Sequence, residues 1–240
     1  MNIRGFLPTS LNEWPGKVSA VIWTAGCNFR CPFCQNKELV LEPEKLKRFY
    51  QEKILADLKQ RRDWLDAVVV TGGEPTLSGD LSEFLSRCKQ IGLLTMIETN
   101  GTRPRILEKL FQVRLIERIS MDLKADFDCY SQAAGIKVAV NKIKESVKLI
   151  INSGLDFEFR TTVVPTLHTK QSLVKLARQL KNLVSSFESP VSVNWFFQQF
   201  IPKKCLDPKF EKIKPYSEKE LKQILLAVQK YIPKAKLKGV

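Results

Sequence analysis

Three thiols crowd one short stretch of this sequence, Cys27-Asn28-Phe29-Arg30-Cys31-Pro32-Phe33-Cys34. Cys27, Cys31 and Cys34 are too close together to be three disulfide halves, and a chain of 240 residues is large enough to fold without staples. At this spacing they read as metal or iron-sulfur ligands. A [4Fe-4S] cubane normally takes four cysteines, so three on one loop would hold three irons and leave the fourth with an open coordination position for substrate. Zinc is the competing reading, although structural zinc usually takes paired CxxC or Cys/His hooks and the single histidine, His168, lies far away in the sequence. Cys88, Cys129 and Cys205 are scattered singly. They read as core or incidental thiols, Cys88 falling at an apolar position of a helical pattern.

Other residues could serve a ligand. In Thr71-Gly72-Gly73-Glu74-Pro75-Thr76-Leu77 the glycines allow backbone to approach a bound molecule, and Glu74 offers a counter-charge to an ammonium. In Ile119 to Lys124, alternation puts Ser120, Asp122 and Lys124 on one strand face and Met121 and Leu123 on the other. Charge pointing inward from a strand must be paired, so such a face lines a site. Arg160 shares a face with Glu158 and Thr162, opposite Phe157 and Phe159. The Phe33 ring suits stacking against a base or packing in the core. His168 reads as a loop or capping histidine rather than a general base.

The elements that must hold these groups alternate. Six short β-rich runs recur: Val18 to Trp23, Ala67 to Thr71, Leu93 to Glu98, Arg118 to Leu123, Phe157 to Val164 and Val193 to Phe200. Between them lie helical patterns: Leu46, Phe49, Tyr50, Ile54 and Leu58 on one face, then Leu81, Phe84, Leu85 and Cys88 before a stop at Gly92. Ile106, Leu107 and Leu110 mark a third helix, Val140, Ile143, Val147 and Ile150 a fourth stopped at Gly154, and Leu173, Leu176, Ala177 and Leu180 a fifth. The last, over 217–231, opens with Ser217 and Glu220 in capping-box spacing. Strands alternating with helices predict an α/β fold of βαβ units, a parallel sheet with outer helices, and a partial (β/α)6 barrel with its chemistry at the C-terminal strand ends. The expectation is a single domain over 1–240, with 1–17 leading into the first strand and a basic tail after the last helix.

The net charge of +14 permits an anionic partner, nucleic acid included, without choosing one; a solvated basic face explains it equally well. No apolar run approaches the roughly 18 residues of a membrane span, and no signal segment stands at Met1 to Leu11, so the expected location is the cytoplasm.

Taken with its aromatic residue before the third cysteine and Gly72-Gly73-Glu74-Pro75 after the next strand, the CxxxCxxC loop resembles the signature of the radical SAM superfamily. Within it the chain is similar to the glycyl-radical-enzyme activating enzymes, above all those of anaerobic ribonucleoside-triphosphate reductase. The likeness extends through Gly5-Phe6-Leu7-Pro8-Thr9-Ser10-Leu11, Trp14-Pro15-Gly16-Lys17, Glu98-Thr99-Asn100-Gly101, Met121-Asp122-Leu123-Lys124, Arg160-Thr161-Thr162-Val163-Val164-Pro165, Leu167-His168, Gln198-Gln199-Phe200 and Leu206-Asp207-Pro208. It implies an oxidoreductase with a [4Fe-4S] cluster on Cys27, Cys31 and Cys34 that cleaves S-adenosylmethionine (SAM) and makes a glycyl radical on a partner enzyme. An electron donor such as flavodoxin or ferredoxin is implied too. By the same resemblance SAM meets Phe33, Gly72, Gly73, Glu74, Asn100, Asp122, Lys124, Arg160 and Gln199, with Gly72 to Glu74 at its amino group.

Several positions depart from the pyruvate formate-lyase activating enzymes: Glu98 for aspartate, Gln35 for histidine, and Gln199 near a histidine that holds SAM. These departures weaken the transfer of a monovalent-cation site to Glu98 and Asp122. Two alternatives stay open, a radical SAM enzyme that modifies RNA or a peptide, and an activase of another glycyl-radical enzyme such as pyruvate formate-lyase. A zinc-stabilised nucleic-acid-binding module is the rival from outside enzymology.

Overall fold

The computed structural model describes residues 1–185 and 192–239. They form two compact units, the first from Met1–Asn28 and Asn36–Ser120, the second from Phe29–Gln35 and Met121–Val240.

In the first unit, β1 (Ile3–Ser10) runs antiparallel to β2 (Ser19–Thr24), and β2, β3 (Ala67–Gly72) and β4 (Leu94–Thr99) pair in parallel. Residues 67–70 of β3 are wholly buried, as a parallel strand covered on both faces must be. One face packs Val21, Val69 and Met96 with Trp14 and Ala67. The helices are α1 (Lys37–Leu41), α2 (Gln51–Gln60), α3 (Leu81–Ile91) and α4 (Pro104–Gln112). Leu81, Phe84, Leu85 and Cys88 form the buried stripe of α3, which Gly92 stops with a left-handed φ of 98°.

Strand β5 (Arg118–Asp122) passes from the first unit to the second. The second unit continues with α5 (Tyr130–Ala134), α6 (Val140–Asn152), β6 (Asp156–Val163), α7 (Lys170–Val184), β7 (Trp195–Gln199), α8 (Glu218–Gln229) and β8 (Lys236–Lys238). Here β6, β7 and β8 pair in parallel. The predicted box forms at α8, where Ser217 and Glu220 cap each other's backbone.

The six strands expected from the sequence are β2 to β7. Two more strands, β1 and β8, were not expected. β1 is interrupted by Gly5 and Pro8, which break its alternation, and proline is tolerated there because the strand lies at an edge. β8 has only three residues, two of them lysine. The second helix also starts later than its apolar spacing predicts. Phe49 donates its N–H to Ile3 O at 3.0 Å and bridges to β1, which keeps the chain extended until Gln51.

Candidate functional site

In the first unit, the backbone after β3 is stitched to the backbone after β2. Gly73 N–H donates to Thr24 O and Glu74 N–H to Gly26 O, each at 2.8 Å. This approach requires glycine: a Cβ on Gly73 would sit on Gly26 O, and one on Gly72, whose φ is +117°, would meet the Thr24 backbone. Asn36 Nδ2 donates to Gly72 O at 3.2 Å. The Gly-Gly pair therefore fixes the chain just before Cys27.

Glu74 is fully buried. Its Oε1 accepts from Thr76 N–H at 3.1 Å, from the Thr76 hydroxyl and from Thr99 Oγ1 at 2.7 Å, and its Oε2 accepts from Asn100 N–H at 2.7 Å. Burial pushes its pKa up against the pull of these four donors. Asn100, also buried, turns its Nδ2 to Cys27 Sγ at 3.8 Å and to Asn28 Oδ1 at 2.8 Å. Glu98 Oε2 accepts from Thr71 Oγ1 at 2.8 Å.

In the second unit, Phe29–Gln35 is held along its length. Arg30 N–H donates to Ala134 O at 2.8 Å, and Gly135, left-handed at φ +68°, caps α5 so close that a Cβ would sit on Arg30 O. Cys34 N–H closes a turn on Cys31 O at 3.0 Å. Asp207 N–H donates to Pro32 O, and Gln35 Nε2 to Ile201 O, each at 2.9 Å. All six cysteines are free of disulfides. Phe33 is buried, with the Lys124 Nζ 5.9 Å from its ring centroid.

Lys124 Nζ donates to Asp122 Oδ2 at 2.8 Å. Burial alone would lower its pKa, but Asp122 and the nearby Cys31 thiol leave it raised. Arg160 and Glu158, both buried on β6, form an ion pair, and Lys238 Nζ lies 3.8 Å from Glu158. Gln199 Nε2 donates to Tyr216 O at 3.0 Å, while its Oε1 is buried with no hydrogen-bond partner among the described residues. His168 is buried after β6 and bonded through both ring nitrogens.

The nominated residues thus gather in two sets, Cys27, Gly72, Gly73, Glu74 and Asn100 in the first unit, and Cys31, Phe33, Cys34, Asp122, Lys124, Arg160 and Gln199 in the second. Gly135, Tyr130 and Tyr216 support them, and the first two carry no signal in the sequence because a helix of five residues such as α5 shows no periodicity. Among the described residues, no group of three or more His, Cys, Asp or Glu side chains is placed to hold a metal ion. Ligands of one tetrahedral zinc must all meet it at about 2.3 Å. The thiolates of a cubane each reach a different iron.

Parallel strands with disulfide-free cysteines, paired cations and buried carboxylates on the loops and residues at their C-terminal ends define a cofactor-binding α/β protein. Residues 21–180 match the radical SAM superfamily, and the chain belongs to it. Its cofactors are a [4Fe-4S] cluster and SAM. A protein of Methanocaldococcus jannaschii, provisionally named glycyl-radical enzyme activating enzyme MJ1227, is 32% identical over 96% of this chain and 92% of its own length. Among solved structures, SuiB of Streptococcus suis bound to SAM superposes with a TM-score of 0.66 at 19% identity over 91% of this chain, which spans 50% of SuiB's length. A spore photoproduct lyase mutant superposes with a TM-score of 0.65 at 13% identity, over 98% of this chain and 80% of its own. These two likenesses show the fold, that of the partial radical SAM barrel. Among the described residues no helix is long and apolar enough to cross a membrane.

Proposed function

We propose that this chain is an activating enzyme that generates a glycyl radical on a partner enzyme, with anaerobic ribonucleoside-triphosphate reductase as the partner. The observation that carries the activase part of this reading is the likeness to the M. jannaschii protein across nearly the whole of both chains; the choice of reductase rests on the sequence resemblance alone. Cys27, Cys31 and Cys34 hold the cluster; three cysteines outside any disulfide, one short of a full set, fit a cubane with one open iron. When bound, the reduced cluster and SAM supply methionine and a 5′-deoxyadenosyl radical able to take a hydrogen atom from a glycine.

The remaining work belongs to the chain's own residues. Gly72 and Gly73 let backbone reach the amino-acid end of SAM, and Glu74 holds that backbone through four donors. Asn100 directs an N–H toward Cys27 Sγ, a contact of the kind that tunes cluster potential. Asp122, Lys124 and Arg160 bring paired charges for the ribose hydroxyls and carboxylate of SAM, Gln199 brings a spare acceptor, and Phe33 an aromatic surface for adenine. A flavodoxin or ferredoxin supplies the electron.

The test is to mix the anaerobically reconstituted chain, dithionite, SAM and the candidate reductase and record the electron paramagnetic resonance spectrum. A glycyl doublet is expected. SAM cleavage without a doublet would remove this partner, and an active chain that binds tRNA with steep salt dependence would favour RNA modification, the reading that the +14 charge supports.

A further inference from the structure

Beyond its ladder, the end of β5 is gripped by side chains. Three consecutive carbonyls each accept from a different one: Asp122 O from Tyr130 Oη at 3.2 Å, Leu123 O from Thr161 Oγ1 at 2.8 Å, and Lys124 O from His168 Nε2 at 2.7 Å. Leu123 N–H donates in turn to Arg160 O at 2.8 Å.

Of these donors His168 sits at the outermost residue and is the most constrained. Val164 N–H donates to its Nδ1 at 2.9 Å, so that nitrogen is an acceptor and the neutral ring carries its proton on Nε2. Its own carbonyl accepts from Tyr216 Oη at 3.0 Å, and Tyr216 O accepts from Gln199 Nε2. A chain of bonds therefore runs from Gln199 through Tyr216 and His168 to Lys124, whose ammonium ends on Asp122 beside Phe33. Four nominated residues are joined through two that sequence reasoning did not nominate.

We infer that His168 is a positioning residue: it pins the Lys124 backbone and thereby sets where the Lys124 ammonium and Asp122 carboxylate stand. A lysine side chain has much rotamer freedom to lose, so a fixed backbone is needed for the ammonium to be presented in one place. The inference rests on the reading above of Asp122 and Lys124 as SAM contacts.

Two isosteric halves of histidine separate positioning from general support of the fold. His168→Asn keeps an acceptor near Val164 N–H and is too short to reach Lys124 O, whereas His168→Gln places an amide N–H where Nε2 stands. In the reconstituted full chain, His168→Asn is expected to weaken SAM binding about tenfold with iron and sulfide unchanged, and His168→Gln by less than about threefold. Lys124 itself reports independently of SAM. Under a limiting acetylating reagent, its modification read by mass spectrometry should speed up in His168→Asn and stay near the wild-type rate in His168→Gln. Equal Lys124 reactivity in all three proteins would overturn the positioning role, as would equal SAM losses in the two variants. A wild-type chain that binds no SAM would instead remove the assignment of Asp122 and Lys124, and the order of Lys124 reactivities would still decide the role of His168.

Discussion

The Glu74 Oε2 accepts the backbone N–H of Asn100 at 2.7 Å, so a fully buried carboxylate joins the chain after β3 to the chain after β4. With both oxygens taken by internal donors, Glu74 acts first on the backbone around it. Glu74→Gln puts an NH2 where an acceptor is needed and leaves a buried donor unmet, which costs about 1–3 kcal/mol. A lowered urea midpoint is expected together with weaker SAM binding. A carboxylate that served only as an ammonium counter-charge would lose SAM affinity and keep its midpoint, so an unchanged midpoint would refute the tie.

Two glycines brace the cysteine loop, one in each unit. Gly73→Ala drives a Cβ onto Gly26 O, next to Cys27, and Gly135→Ala drives one onto Arg30 O from a left-handed φ of +68°. Each is expected to destabilise by about 1–3 kcal/mol and to reduce the iron bound after reconstitution. Gly79 is the control, since a Cβ there meets nothing within 4 Å; Gly79→Ala should stay within about 0.5 kcal/mol of wild type. Iron content and thermal melts of the three variants decide the point. Equal iron in all three would sink it.

Why the cysteine loop was legible and its braces were not is a matter of sequence distance. Cys27, Cys31 and Cys34 announce themselves because their spacing is local. The β2 to β7 strands are legible for a similar reason, each being a compact apolar run. Gly135 touches Arg30 across about a hundred intervening residues, and Tyr216 reaches His168 over a sequence separation of 48. Glu74 was visible as a charge; that four donors meet it could be seen only once Thr76, Thr99 and Asn100 were placed. Phe49 shows the opposite failure, a residue in helical register that an unnoticed edge strand claims.

The cysteines divide into two groups by environment. Cys88 lies in the core stripe of α3, where burial pushes its thiol up to about 12, so it stays protonated and a poor ligand at neutral pH. Cys205 is buried and Cys129 exposed, both outside the loop. Alanine at Cys27, Cys31 or Cys34 should abolish SAM cleavage and lower iron content, while alanine at Cys88, Cys129 or Cys205 should leave cleavage intact. Methionine release measured under dithionite gives the answer. Residual turnover in all three loop variants would refute the ligand assignment.

His168 also makes a prediction about pH. Burial is the main cause holding its pKa down at about 4, below the ordinary value of 6.5. Protonation would turn Nδ1 into a donor facing the Val164 N–H, so the folded chain keeps the ring neutral. The unfolded chain takes up the proton near 6.5, and stability from this residue is therefore complete above that pH and lost as pH falls toward 4. Between pH 7 and pH 5 the loss amounts to about 2 kcal/mol. Other groups titrate over the same range, so the informative quantity is the difference between wild type and His168→Gln, which has no proton to gain. Urea unfolding at intervals of half a pH unit should show the wild type losing stability faster than the variant below pH 6.5. Parallel curves for the two proteins would mean that His168 titrates in the folded chain as it does in the unfolded one, and the neutral ring bonded to Lys124 would have to be abandoned.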